Sequence, residues 1–109
     1  MLLSTQAVLV LTTCENTEQA RALANRLVGE RLAACVNVVP RISSTYLWKG
    51  KIQTDEEVLL LIKTTQAGFD AVEKAVKTLS TYELPEVVAV PIHAGSAEYL
   101  AWLDATLAD

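Results

Sequence analysis

Residues 7–11 read Ala-Val-Leu-Val-Leu. A short, unbroken, β-branched apolar run of this kind predicts a strand buried on both faces. After Cys14 the period changes. Asn16 is a good helix N-cap, and Gln19 three residues on makes an Asn variant of the capping box. Ala20, Leu23, Ala24, Leu27 and Val28 then recur at i, i+3, i+4, i+7 and i+8, the stripe of an amphipathic helix that weakens at Gly29. A second strand starts near Cys35 and carries Val36, Val38 and Val39. Pro40 cannot donate to a ladder, so it marks a bulge or an edge. Beyond it, Ile42, Ser44, Tyr46 and Trp48 share one face by alternation. Lys49-Gly50 is a turn, and the chain runs back through a polar half, residues 53–57, into an apolar half, residues 58–62.

This hairpin spans residues 35–64. Its arms of about fourteen residues exceed the usual ~5–6, and no sheet in so short a chain is wide enough to cover them. The tip, with Tyr46, Leu47 and Trp48, should project with its aromatics exposed, which calls for a partner surface. A long unpaired edge is also an aggregation hazard unless covered. The hairpin alone therefore predicts a homo-oligomer.

Phe69, Val72, Val76 and Leu79 mark a second helix, broken across residues 80–85. Residues 87–90 form another apolar run, expected to be a central strand, with Pro91 near its end. Ser96 N-caps a last helix with Leu100, Leu103 and Leu107 on one line. The order βαββαβ plus a terminal helix is an α+β, ferredoxin-like arrangement with a long hairpin between its second and third strands. In it the first and second strands run parallel with the third between them. Cys14 and Cys35 should then lie too far apart for a disulfide.

The length of 109 residues is that of one small domain, taken as residues 1–109. The 51% hydrophobic content supports a core. Nine Lys and Arg against thirteen Asp and Glu give a net charge of −4, which argues against nucleic acid and anionic membranes as partners. No run approaches the ~20 apolar residues of a membrane span, and no basic segment precedes the first strand, so a cytoplasmic protein is expected.

Candidate chemistry is sparse. There is a single His, His93, and no nucleophile–base pair or phosphate-loop motif, so the expected protein is not an enzyme. Two thiols and one imidazole cannot easily close a four-ligand metal site in one chain, although Cys14 and Cys35 remain the soft donors available, including to a site shared between subunits. Asp55, Glu56 and Glu57 read as a solvated face or as carboxylates at an oligomer pocket. The loop carrying Tyr82, Glu83, Pro85 and Glu86, at the mouth of a strand, is the best candidate site. Trp102 reads as packing within or between chains.

Several blocks resemble the CutA divalent-cation-tolerance family: Glu30-Arg31-Leu32-Ala33-Ala34-Cys35-Val36-Asn37, Ser44-Thr45-Tyr46-Leu47-Trp48-Lys49-Gly50-Lys51, Glu57 ahead of Leu61-Ile62-Lys63-Thr64, Tyr82-Glu83-Leu84-Pro85-Glu86 and Tyr99-Leu100-Ala101-Trp102-Leu103. The resemblance implies a tight homotrimer, similar in architecture to PII signalling proteins, with hairpins paired between subunits. It further implies a role in tolerance of copper or another divalent metal. Where copper ligands are proposed in that family, this sequence has Thr12 at the thiol position and Leu79 and Ser80 at the histidine positions, with Cys14 two residues beyond Thr12. The metal candidates are Cys14 and Cys35. The second reading is a PII-like module that binds a small molecule in clefts between subunits, with Tyr46, Trp48, Glu57, Lys63, Tyr82, Glu83 and Trp102 as candidate cleft or interface residues.

Overall fold

A computed structural model describes residues 6–108. The elements follow in the order β1 (Ala7–Cys14), α1 (Thr17–Gly29), β2 (Cys35–Trp48), β3 (Lys51–Thr65), a 3-10 turn (Gln66–Gly68), α2 (Phe69–Leu79), β4 (Val88–Pro91) and α3 (Ala97–Leu107). They form a four-stranded antiparallel sheet in the order β2-β3-β1-β4, so β1 and β2 are parallel with β3 between them, as the sequence pattern anticipates.

One side of the sheet is closed by α1 and α2. Val8 and Val10 of β1 and Val58, Leu60 and Ile62 of β3 pack there against Leu23, Leu27, Val72 and Val76. Local chemistry sets these helices. The Asn16 side chain accepts from the Gln19 amide at 2.9 Å and caps α1. The helix ends at Gly29, but the left-handed residue of its exit is Arg31, with φ 57°. Ser96 caps α3 by accepting from the Tyr99 amide at 3.1 Å. The apolar stripes are shorter than their sequence spacing implies, because Val28 and Leu79, the last member of each, are about 40% exposed.

The opposite side of the sheet is mostly open. Its Ala7 end is covered by α3, where Leu103 packs with Ala7 and Ala34, and at its other end Thr13 is buried. Leu9, Leu11, Leu59 and Leu61 lie half-buried across this side, and Val39 is exposed beside them. The register places Val88 opposite Leu11 and Val90 opposite Leu9. These observations correct the expectation of a central strand at residues 87–90. β4 is an edge strand, Val88–Pro91, and all four of its residues are exposed. A continuous apolar run reads as a buried strand, yet here it is the rim of an uncovered apolar face.

The hairpin of β2 and β3 gives the molecule its 48 Å long axis, against 27 and 22 Å in the other directions. Its tip projects as expected, with Leu47 70% and Ile52 78% exposed. The turn residues Lys49 and Gly50 have φ values of 51° and 79°. Positive φ at both central positions is the requirement of a type I′ turn, whose twist suits paired strands.

A bulge interrupts this ladder. Val39 faces Leu59 and Ile42 faces Glu57, so Pro40 and Arg41 together oppose the single residue Val58. Arg41 takes the left-handed conformation, φ 62°. The extra residue reverses the alternation of β2. Before the bulge, Cys35, Asn37 and Val39 share the open face with Lys63, Leu61 and Leu59. After it, Ile42, Ser44, Tyr46 and Trp48 share that face with Glu57, Asp55, Gln53 and Lys51. Without the bulge, Tyr46 and Trp48 would turn to the helix side.

Candidate functional site

Where the hairpin leaves the body of the sheet, it and the loop after α2 enclose a cleft of about 680 Å³. One wall is β2, with Ser44, Thr45, Tyr46, Leu47 and Trp48. The other is the loop, with Tyr82, Glu83, Leu84 and Glu86. Thr13 and Glu57 lie between them. Tyr46 and Trp48 reach the cleft because of the bulge. Glu57 does so because it is the first β3 residue past the end of β1, whose Cys14 pairs with Val58. Ser80 shapes the loop: its hydroxyl accepts from the Tyr82 amide at 3.0 Å.

The cleft is acidic and aromatic. Tyr82 donates its hydroxyl to Glu57, and its phenol is pushed well above the ordinary tyrosine range, first by burial, then by that bond and by the negative charge of Glu57. Tyr46 donates to Asp55, and this bond, with lesser help from partial burial and nearby carboxylates, likewise raises its phenol. Both rings are therefore anchored by carboxylates and stay protonated at neutral pH. Trp48 carries the Lys49 ammonium at 5.7 Å from its ring centroid.

Five of the seven anticipated cleft residues thus converge within one chain: Tyr46, Trp48, Glu57, Tyr82 and Glu83. Lys63 and Trp102 do not join them. Lys63 donates to Asn37 and approaches the Cys35 sulfur at 3.8 Å on the open sheet face. Trp102 stacks obliquely on Tyr99 on α3, with ring centroids 5.5 Å apart. The Tyr99 phenol is raised by burial and by contact with Cys35, which ties α3 to the Lys63 cluster instead. His93 is exposed beyond β4, away from the cleft lining. Sequence reasoning did not count Thr13, Ser44, Thr45, Leu47 or Leu84 as cleft residues. Alternation already puts Ser44 on the face of Tyr46 and Trp48, and the bulge sets which side of the sheet that is; Thr13 is visible only from its register opposite Leu59.

The donors of one chain do not fit a resident divalent metal. β1 extends to Cys14, so Cys14 shares the helix-side face with Thr12, and burial followed by the nearby Glu57 charge raises its thiol and disfavours the thiolate that a soft metal needs. Cys14 and Cys35 pair with Val58 and Lys63, five residues apart along β3 and on its two flanks. That separation is roughly 19 Å at the standard strand rise and spacing, far beyond a shared ligand sphere, and both thiols are free. Thr12 is fully buried, with its hydroxyl unpartnered among the described residues. Leu79 and Ser80 line a narrow crevice beside Cys14 and offer no imidazole. Among the described residues no three His, Cys, Asp or Glu side chains converge as a metal site would require.

Residues 8–106 match the model of the CutA1 divalent ion tolerance protein family. The chain belongs to that family. It is 51% identical over 94 residues to the divalent-cation tolerance protein CutA of Thermus thermophilus, covering 86% of this chain and 91% of that protein. It is 47% identical over 97 residues to the chloroplastic protein CutA 1 of rice, which covers 89% of this chain but 55% of the rice protein. The chain thus spans about half the length of this plant CutA relative. Among solved structures, rice CutA1 superposes with a TM-score of 0.92 at 43% identity, over 97% of both chains. The Thermus thermophilus Cut A1 structure gives 0.87 at 49% identity, over 89% of this chain and 94% of that one. The ferredoxin-like CutA fold anticipated from the sequence blocks is the fold of this chain. Among the described residues, no helix is long and apolar enough to cross a membrane.

Proposed function

We propose that this CutA-family protein serves divalent-cation tolerance as a non-catalytic homotrimer, and that it does so by binding a small ligand in the cleft between Tyr46, Trp48 and Tyr82. The observation that carries the proposal is the position of the cleft. It lies at the root of the projecting hairpin, beside an apolar sheet face that its own chain leaves open. Leu9, Leu11, Leu59 and Leu61 need a cover, and further copies of the chain supply one whose apolar rim, Val88 and Val90, matches. The hairpin tip then packs on a neighbour, and the cleft is completed between subunits. The absence of a nucleophile–base pair around the cleft, whose lining holds carboxylates, hydroxyls and rings, favours binding over turnover.

The decisive experiment is native mass spectrometry of the reduced protein with and without Cu(I) and Cu(II). The expected result is a trimer that takes up no copper in stoichiometric steps. A monomer at micromolar concentration overturns the assembly. Stoichiometric copper uptake lost in Cys14→Ser or Cys35→Ser overturns the ligand reading in favour of a metal site shared between chains. Trp48→Ala should weaken the trimer, since a large side chain contributes on the order of 1.5–3 kcal/mol when fully buried. An unchanged trimer mass on dilution would place the hairpin tip outside the interface.

A further inference from the structure

We propose that the cleft selects an organic cation, a protonated amine or quaternary ammonium ion, and excludes anions; this rests on the reading of the cleft as a ligand site. Three observations of different kinds carry it. The first is charge. Glu57, Glu83 and Glu86 line the cleft, and none of its eleven described lining residues is Lys, Arg or His. The second is hydrogen-bond direction. The two phenol protons that could greet an anion are already committed, Tyr82 to Glu57 and Tyr46 to Asp55. What those pairs leave facing the cleft is ring surface and the oxygens of Glu57, Glu83 and Glu86, which accept, beside the hydroxyls of Thr13, Ser44 and Thr45, which can donate or accept. The third is the behaviour of Trp48, whose ring already receives an ammonium, that of Lys49 at 5.7 Å from its centroid. The indole thus attracts a cation, and an amine that binds in the cleft takes the place of the exposed Lys49 ammonium on that ring.

The shape of the site separates an organic cation from a bare metal ion. A divalent metal demands several oxygen ligands converged at short distance, and the cleft carboxylates do not form such a group. An alkylammonium spreads its charge over a larger surface, and an arrangement of three aromatic rings and separated carboxylates in about 680 Å³ suits it.

The test uses the full chain in its assembled state. Choline and putrescine are titrated by calorimetry at fixed ionic strength, and ADP and citrate are titrated in parallel. The expected result is saturable binding of choline or putrescine, weakened about tenfold or more by Glu57→Gln and by Glu83→Gln, with Asp104→Asn on α3 as an unaffected control. Glu83 is exposed, so its variant keeps the test valid even if Glu57→Gln disturbs the Tyr82 loop. Saturable binding of ADP or citrate without binding of either amine overturns the ligand class and leaves the cleft as a ligand site. Binding of neither class by the assembled protein overturns the ligand-site reading and this proposal together. Amine binding that both glutamine variants leave intact removes the amine from the cleft and overturns the proposal alone.

Discussion

Replacing Thr12 by Val should stabilise the protein. Thr12 is 0% exposed and stands on the helix side of β1, between Val10 and Cys14 and opposite Leu60. Its hydroxyl has no hydrogen-bond partner among the described residues. A buried hydroxyl without a partner costs about 1–3 kcal/mol of desolvation. Valine has nearly the same shape, the same β-branching and no such penalty, and its added methyl gains up to about 0.8 kcal/mol on burial. Allowing for imperfect accommodation of that methyl in a close-packed core, the net stabilisation should be about 1–2 kcal/mol. Urea denaturation at fixed chain concentration reads this as a midpoint raised by roughly 0.5–1 M for an m-value in the range of small domains. Thr12→Ser is the contrast. It keeps the hydroxyl, deletes the methyl and should destabilise. If Thr12→Val destabilises as much as Thr12→Ser does, the hydroxyl is bonded in the folded protein and the reasoning fails. Because Thr12 faces the helices while its neighbour Thr13 lines the cleft, ligand binding should not change in the valine variant.

Three further outcomes follow from other features. Tyr82 has its phenol raised by burial and by Glu57, so its contribution to stability is fully present below the unfolded tyrosine pKa of about 10 and is lost as pH rises above it; Tyr82→Phe should flatten the alkaline limb of stability against pH, and an unchanged limb would contradict the Tyr82–Glu57 bond. A Cβ at Gly68 would lie 2.7 Å from the hydroxyl of buried Thr64, which donates to the Leu32 carbonyl at 2.8 Å; Gly68→Ala should cost about 1–3 kcal/mol in chemical denaturation, and a neutral result would mean that this contact yields freely. Lys49 has positive φ in a turn that prefers Asn-Gly, so Lys49→Asn should raise the melting temperature, by a stabilisation of about 0.5–1 kcal/mol, and a lowered one would show that the Lys49–Trp48 contact outweighs the backbone gain.

The hydrophobic pattern made most of the fold legible, because each element carries a local signal strong enough to survive packing. The capping residues Asn16 and Ser96 place their helix starts, and the Lys49-Gly50 pair places the hairpin turn. The strand at residues 87–90 was misplaced to the centre of the sheet for an identifiable reason. Apolar side chains on both faces of a short run report that the run is buried by something, without reporting by what. In β4 the missing neighbour is not a strand of the same chain, since Val88 and Val90 remain exposed at the edge. The same ambiguity applies to Val28 and Leu79, which continue their helical stripes past the core that the chain itself builds.

Five residues of the cleft were legible in the sequence, but its place was not, and Lys63 and Trp102 lie outside it. Tyr46, Trp48, Glu57, Tyr82 and Glu83 come from three segments, and nothing local says on which face of the sheet the first two fall. Alternation counted from Cys35 puts even-numbered β2 residues on the helix side, where Val36 and Val38 pack. By that count Tyr46 and Trp48 would face away from Asp55 and Glu57. Pro40 signals that the ladder breaks, but whether one residue or two are inserted decides the parity, and only the register opposite β3 supplies that number. A single extra residue, accommodated by the left-handed Arg41, therefore converts a strand that would bury its aromatics beneath the helices into one wall of an acidic, aromatic cleft. The site is thus a property of the bulge as much as of the residues it displays. Changes at positions 40 and 41, which touch no cleft residue in sequence, should alter the cleft more than conservative changes within it.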